Sequence, residues 1–197
     1  MADYSFFNKW AAIFISQLIA DFKIDSLSAI AIIGNAGHES AGFKALQEKK
    51  PIVPGSRGGY GIMQWTGPRR REYEAYCKRN GLDPADMTSN YKFLFVELKG
   101  PEGRVLPRLK AAKTLEDKVR IFSEGFLRPG IPHMESRQVW ARRAQAAWAA
   151  QKTEPIVVPE PVVLPPVVKP EPEPVLEAKK SWLDVLFEII LSLTKGK

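Results

Sequence analysis

The stretch Ser26-Leu-Ser-Ala-Ile-Ala-Ile-Ile-Gly34-Asn-Ala-Gly-His-Glu39-Ser40-Ala-Gly42 decides the fold. Asp25 or Ser26 offers a capping side chain at its start, and apolar residues then fall on nearly every side of the helix that follows. A helix that is apolar all round is a buried, central one. Gly34 and Gly37 would let its neighbours approach closely. Around it, residues 4–22 carry a second apolar helical pattern, and Thr66 with Pro68 opens a helix ending at Asn80-Gly81. Ser89 opens another that ends at Gly100, Thr114 with Asp117 resembles a capping box for a helix to about Leu127, and a last helix spans Met134 to about Lys152. The polar, turn-rich residues 44–59 followed by the β-like run Tyr60-Gly-Ile-Met-Gln-Trp65 predict a small β-hairpin lobe. The expectation is therefore a mainly α domain over residues 1–152 with one minor hairpin.

Composition narrows what such a domain can do. The chain has 197 residues, one cysteine (Cys77) and two histidines (His38 and His133). These are too few and too scattered for a zinc site, no internal disulfide can form, and no cofactor is expected. Residues 1–151 hold 23 Lys and Arg against 15 Asp and Glu, whereas residues 152–197 hold 6 against 7. The basic surplus thus belongs to the front domain and suits an anionic partner. Arg69-Arg70-Arg71 has no helix-turn-helix or RNA-binding signature beside it, so nucleic acid is not the expected partner. A non-catalytic module binding through the basic face is the alternative of a different class.

After Gln151 the character of the chain changes. Eight of the sixteen prolines lie between Pro155 and Pro174, where they preclude a helix or a sheet interior. Residues 153–178 read as an extended linker, and its twenty most proline-rich residues could reach about 60 Å in polyproline II form. Residues 179–197 then read as one short amphipathic helix, in which Ser181, Asp184, Glu188 and Ser192 make a narrow polar stripe against a broad apolar face. Such a helix would fold back, self-associate or attach to a membrane surface through residues 181–194. No segment has the roughly 18 consecutive apolar residues of a transmembrane helix, and Met1-Ala-Asp-Tyr-Ser lacks the basic start of a signal peptide.

Chemistry concentrates at Glu39. It lies at the C-terminal end of the apolar helix, where burial and the negative end of the helix dipole both disfavour an ionised carboxylate. A carboxylic acid kept protonated near neutral pH can donate its proton to a glycosidic oxygen. Downstream, Gly58-Gly59-Tyr60-Gly61-Ile62-Met63-Gln64-Trp65 puts small residues beside a carboxamide and two aromatics. Gln64 could bind a sugar N-acetyl group, and Tyr60 and Trp65 could stack on pyranose rings. His38 and His133 read as hydrogen-bonded structural residues, and Cys77 as a buried thiol inside a helix.

Together, Gly37-His-Glu39-Ser40-Ala-Gly-Phe43 and Gly59-Tyr-Gly-Ile-Met-Gln-Trp-Thr66 resemble the two signature motifs of the lysozyme-like superfamily. The closer similarity is to its phage tail lysozyme and endolysin family, with the Arg69-Arg70 pair following. Arg128-Pro-Gly-Ile-Pro-His133, with Arg137 and Trp140-Ala141, resembles that family's last motif. The resemblance implies a lysozyme-like helical fold and cleavage of the β-1,4 bond between N-acetylmuramic acid and N-acetylglucosamine in peptidoglycan. It makes Glu39 the catalytic acid and Gln64 the substrate-contacting glutamine; Tyr60, Trp65 and Ser40 are expected to bind substrate beside Gln64, and His38, His133 and Arg137 to support the site. Glu48 is the possible second carboxylate, but six residues later, where phage lysozymes with a Glu, Asp, Thr triad place threonine, stands Pro54. Hydrolase and lytic transglycosylase both stay open, because the latter needs no second carboxylate. The expected role is that of an endolysin made in the host cytoplasm and reaching the wall through a holin-type hole. A virion-associated enzyme opening the wall as DNA enters is the alternative.

Overall fold

The structure, a computed structural model, describes residues 3–51 and 53–151. The expected linker and C-terminal helix lie outside the described residues. Seven α-helices account for most of the rest: α1 (Ser5–Phe22), α2 (Ser26–Glu39), α3 (Gly67–Arg79), α4 (Met87–Lys99), α5 (Leu106–Ala111), α6 (Leu115–Phe122) and α7 (Met134–Gln151).

Helix α2 starts where its side chains predict. Asp25 accepts from the Ser28 backbone N–H at 2.9 Å, occupying one of the donors that a helix start leaves open. Ile30, Ala31, Ile32 and Ile33 are all buried, so every side of the helix meets protein, with α1, α6 and α7 packed around it. Each buried isoleucine contributes about 1.5–3 kcal/mol of transfer free energy. The closest approach is at Gly34: a Cβ built there would lie 2.4 Å from the Ala141 Cα of α7. Only glycine admits that contact, and it brings the C-terminal turn of α2 beside the first turns of α7.

The other ends follow local chemistry. Thr114 Oγ1 accepts from the Asp117 N–H at 3.1 Å and opens α6, which passes into a π-helical turn over Ser123–Leu127. Helix α4 begins at Met87, two residues before the expected Ser89, because Asp86 supplies the capping carboxylate to Thr88 N–H. Pro101–Val105, a 3-10 segment, and α5 form an element that the sequence reading did not anticipate.

The expected β-hairpin is absent. Among the described residues there are no strands, only isolated bridges pairing Gln47 with Tyr60 and Tyr60 with Trp65. The run cannot extend because it turns twice into the left-handed region, at Gly61 (φ 80°) and Gln64 (φ 48°). Tyr60 and Trp65 exchange both backbone bonds and Gly61 N–H reaches Leu46 O, and side chains serve the donors that no ladder takes up. Ile62 N–H donates to Asn90 Oδ1 at 2.9 Å, and Gly59 N–H to Glu48 Oε2 at 2.7 Å.

Candidate active site

A cleft of about 470 Å³ opens between the end of α2, the turn at Met63–Thr66 and the segment after the π-helical turn. That volume falls in the range of about 300–1,000 Å³ usual for ligand sites. Glu39, Glu48 and Gln64 all line it, with Thr66, Arg69 and the Leu127–Gly130 segment completing the walls. Two acidic side chains that lie nine residues apart in the chain thereby share one cavity.

Glu39 sits on the last residue of α2, and its side chain is 18% exposed. Its Oε1 accepts from Arg137 Nη2 at 2.7 Å. Arg137 itself is 1% exposed, so the carboxylate faces a desolvated cation, a partner that burial and helix dipole alone did not bring into account. Ser40, fully buried, does not reach the cleft: its hydroxyl donates to Ala36 O at 2.7 Å and accepts from Phe43 N–H at 3.1 Å, closing the helix end. His38 Nδ1 lies 2.8 Å from Ser136 Oγ, and its ring centroid is 5.8 Å from that of His133. Burial first, then Arg137 and His133, push the His38 pKa down to about 4. His133 is exposed, with φ 47°, and its carbonyl accepts from Arg137 N–H at the start of α7.

Gln64 reaches the cleft wall with its amide nitrogen already engaged. Nε2 donates to Ala45 O, Leu46 O and Gly61 O at 3.1, 2.9 and 3.0 Å. The carboxamide thus ties the 45–46 segment to its own turn, a left-handed conformation that this packing sustains. Glu48 is half-buried, and its bond from Gly59 N–H uses Oε2. Thr66 takes the N-cap position of α3 yet its hydroxyl makes no capping bond, and the residue is exposed in the cleft.

The two aromatics lie elsewhere. Trp65 is 1% exposed, packs at a tilt on Tyr73 and edge-on to Phe93, and donates from Nε1 to Glu97 Oε2 at 2.6 Å. Tyr60, half-buried under the Arg70 guanidinium, lines a separate groove with Phe6 and Trp10. The sequence reading passed over Arg69 as a site residue. Its guanidinium grips both oxygens of buried Glu97, at 2.7 and 2.9 Å, and Phe126 O, so it couples the Trp65 interior to the cleft. Arg128 likewise holds Glu102 through two bonds, at 2.8 and 2.9 Å. The Arg69-Arg70 pair was visible in sequence, but the partners of Arg69 lie in α4 and in the π-helical turn.

An acid at a helix end, a second carboxylate across one cleft and arginines on the walls form an arrangement suited to glycosidic bond cleavage. Among the described residues no group of three His, Cys, Asp or Glu is placed to hold a metal ion. No curated protein matches the chain. The family model of phage tail lysozymes matches residues 9–148, a span that contains every residue of the cleft, and the chain therefore belongs to the phage tail lysozyme family, a lysozyme-like enzyme that degrades peptidoglycan.

Proposed function

We propose that the chain hydrolyses the β-1,4 bond between N-acetylmuramic acid and N-acetylglucosamine, with Glu39 as proton donor to the glycosidic oxygen. The observation that carries this reading is that Glu39 and Glu48 line one cleft. A glycan seated over Glu39 excludes bulk water, so the proton that the carboxyl group carries passes to the leaving oxygen and not to solvent. Glu48 is held through one oxygen by Gly59 N–H, which leaves its other oxygen to orient the attacking water. Gln64 shapes the wall that receives the sugar, and its Oε1 is the atom left to accept from an N-acetyl N–H. A transglycosylase would instead let the muramic 6-hydroxyl attack internally and would have no use for Glu48.

Mass spectrometry of the muropeptides released by the pure protein tests this. Reducing ends are expected; 1,6-anhydro ends would establish the transglycosylase instead.

In the cell, the reading is an endolysin that lyses the host at the end of infection. A second role has a specific observation behind it, since the matched family is described as a phage tail lysozyme. Such an enzyme rides on the particle and opens the wall as DNA enters. Immunoblotting of purified particles separates the two: signal in the virion supports the second, and its absence there with abundance in late lysates supports the first. The basic surplus of the front domain suits an anionic wall polymer. The segment 181–194 would attach to a membrane surface or to a second copy of itself.

A further inference from the structure

Behind the cleft lies a buried polar network that the cleavage step itself does not use. Asn35 is fully buried, one helical turn before Glu39 on α2. Its Nδ2 donates to Ala31 O at 2.9 Å and to Val119 O of α6 at 3.1 Å. Both partners are carbonyls, which only accept, so the carboxamide has one orientation and Oδ1 must point the other way. There it accepts from Arg137 Nη1 at 3.1 Å.

Arg137 is held at three corners. Nε donates to Pro132 O at 2.6 Å, Nη1 to Asn35, and Nη2 to Glu39 Oε1. A guanidinium is planar with its donors in a fixed fork, so bonds at three corners fix both its plane and the direction of the third N–H. The network ties α2, α6 and α7 to one carboxyl group. Around that carboxyl stand Arg137 from α7, Glu48, Arg69 and Arg128 in the cleft, and neighbouring His38 on α2.

We propose that Asn35 is a positioning residue for Glu39, acting through Arg137, and that the network assigns the catalytic proton to Oε2. Oε1 already receives an N–H from a cation, and a proton placed on it would oppose that bond. Oε2 is the oxygen left to carry the proton and hand it to the sugar. This inference rests on Glu39 being the acid.

The test measures kcat and KM on soluble peptidoglycan fragments for Asn35→Ala, Arg137→Lys, the double variant and Glu39→Gln. A misaimed acid loses turnover and not affinity, so Asn35→Ala is expected to lower kcat about 10- to 100-fold with KM within twofold. Arg137→Lys keeps the charge, lacks the fork, and is expected to lose a similar factor. The two losses should not multiply in the double variant, because both act through one contact. If Glu39→Gln is as active as wild type, the acid assignment fails and the proposal falls with it. If Glu39→Gln is inactive while Asn35→Ala keeps kcat within twofold, the positioning role alone is overturned. Should Asn35→Ala not fold, Arg137→Lys decides by itself, and wild-type kcat in that variant overturns the proposal.

Discussion

Arg137 donates to Glu39 at 2.7 Å across the α2–α7 contact, although 98 residues separate them in sequence. The contact exists because Gly34 lets α7 approach α2 to the point where a single Cβ would collide with the Ala141 backbone. The geometry of the acid thus depends on helix packing as much as on its own side chain.

Gly34→Ala should for that reason act at two levels. The added methyl meets backbone that cannot rotate away, so α7 must shift, at a cost of about 1–3 kcal/mol or more. For a domain of this size that corresponds to a fall in Tm of roughly 2–12 °C. Wall-lytic activity should fall as well, since Arg137 moves with α7. Thermal unfolding and turbidity assays on the same preparation check both, and an unchanged Tm would contradict the packing account.

Gln64→Ala should destabilise the domain as well as slow it. Its Nε2 serves three backbone carbonyls, and removing this half-buried donor from them costs about 1 kcal/mol or more. Denaturant unfolding measures this. A residue whose only part was to touch substrate would leave stability unchanged while weakening binding.

How much of this was legible in the sequence differs from element to element. Asp25 and Thr114 mark helix starts because capping is a local bargain between one side chain and a backbone N–H three residues on. The buried character of α2 was legible from composition, and so was the position of Glu39 at its end. The Tyr60–Trp65 run misled: it has strand-forming residues, but two left-handed turns confine its pairing to isolated bridges, and Asn90 takes the Ile62 N–H that a longer ladder would have used. Trp65 read as a sugar platform and is core, because Glu97, 32 residues later, supplies the partner its indole N–H needs to be buried. The Asn35–Arg137–Glu39 network and the Arg69–Glu97 pair escaped notice for the same reason, since tertiary packing brings their members together.

His38 gives the domain a pH signature. Burial, Arg137 and His133 hold its pKa near 4 against 6.5 in an unfolded chain. A base with a depressed folded pKa binds protons more readily when unfolded, so its contribution is intact above pH 6.5. That contribution is lost as pH falls through the window from 6.5 to 4. The full shift corresponds to at most about 3 kcal/mol. Unfolding free energies measured at pH 7, 5.5 and 4 should therefore drop less in His38→Gln than in wild type. Identical slopes would show that His38 is protonated as easily folded as unfolded.

Removing residues 153–197 should leave a folded domain active on isolated peptidoglycan. The described core and the family match, residues 9–148, lie before the proline-rich run. Circular dichroism and release of soluble muropeptides are the measurements. An inactive or insoluble truncation would place the tail within the catalytic unit.

The central claim is that Glu39 supplies the proton, and Glu39→Gln tests it most directly because it keeps the side chain's shape and its acceptor toward Arg137 while removing the acid. General acid help is worth about 10²–10⁴ in rate. Turbidity clearing of permeabilised cells should fall at least 100-fold, with the circular dichroism spectrum unchanged. Clearing at more than a tenth of the wild-type rate by a normally folded Glu39→Gln protein would contradict the account.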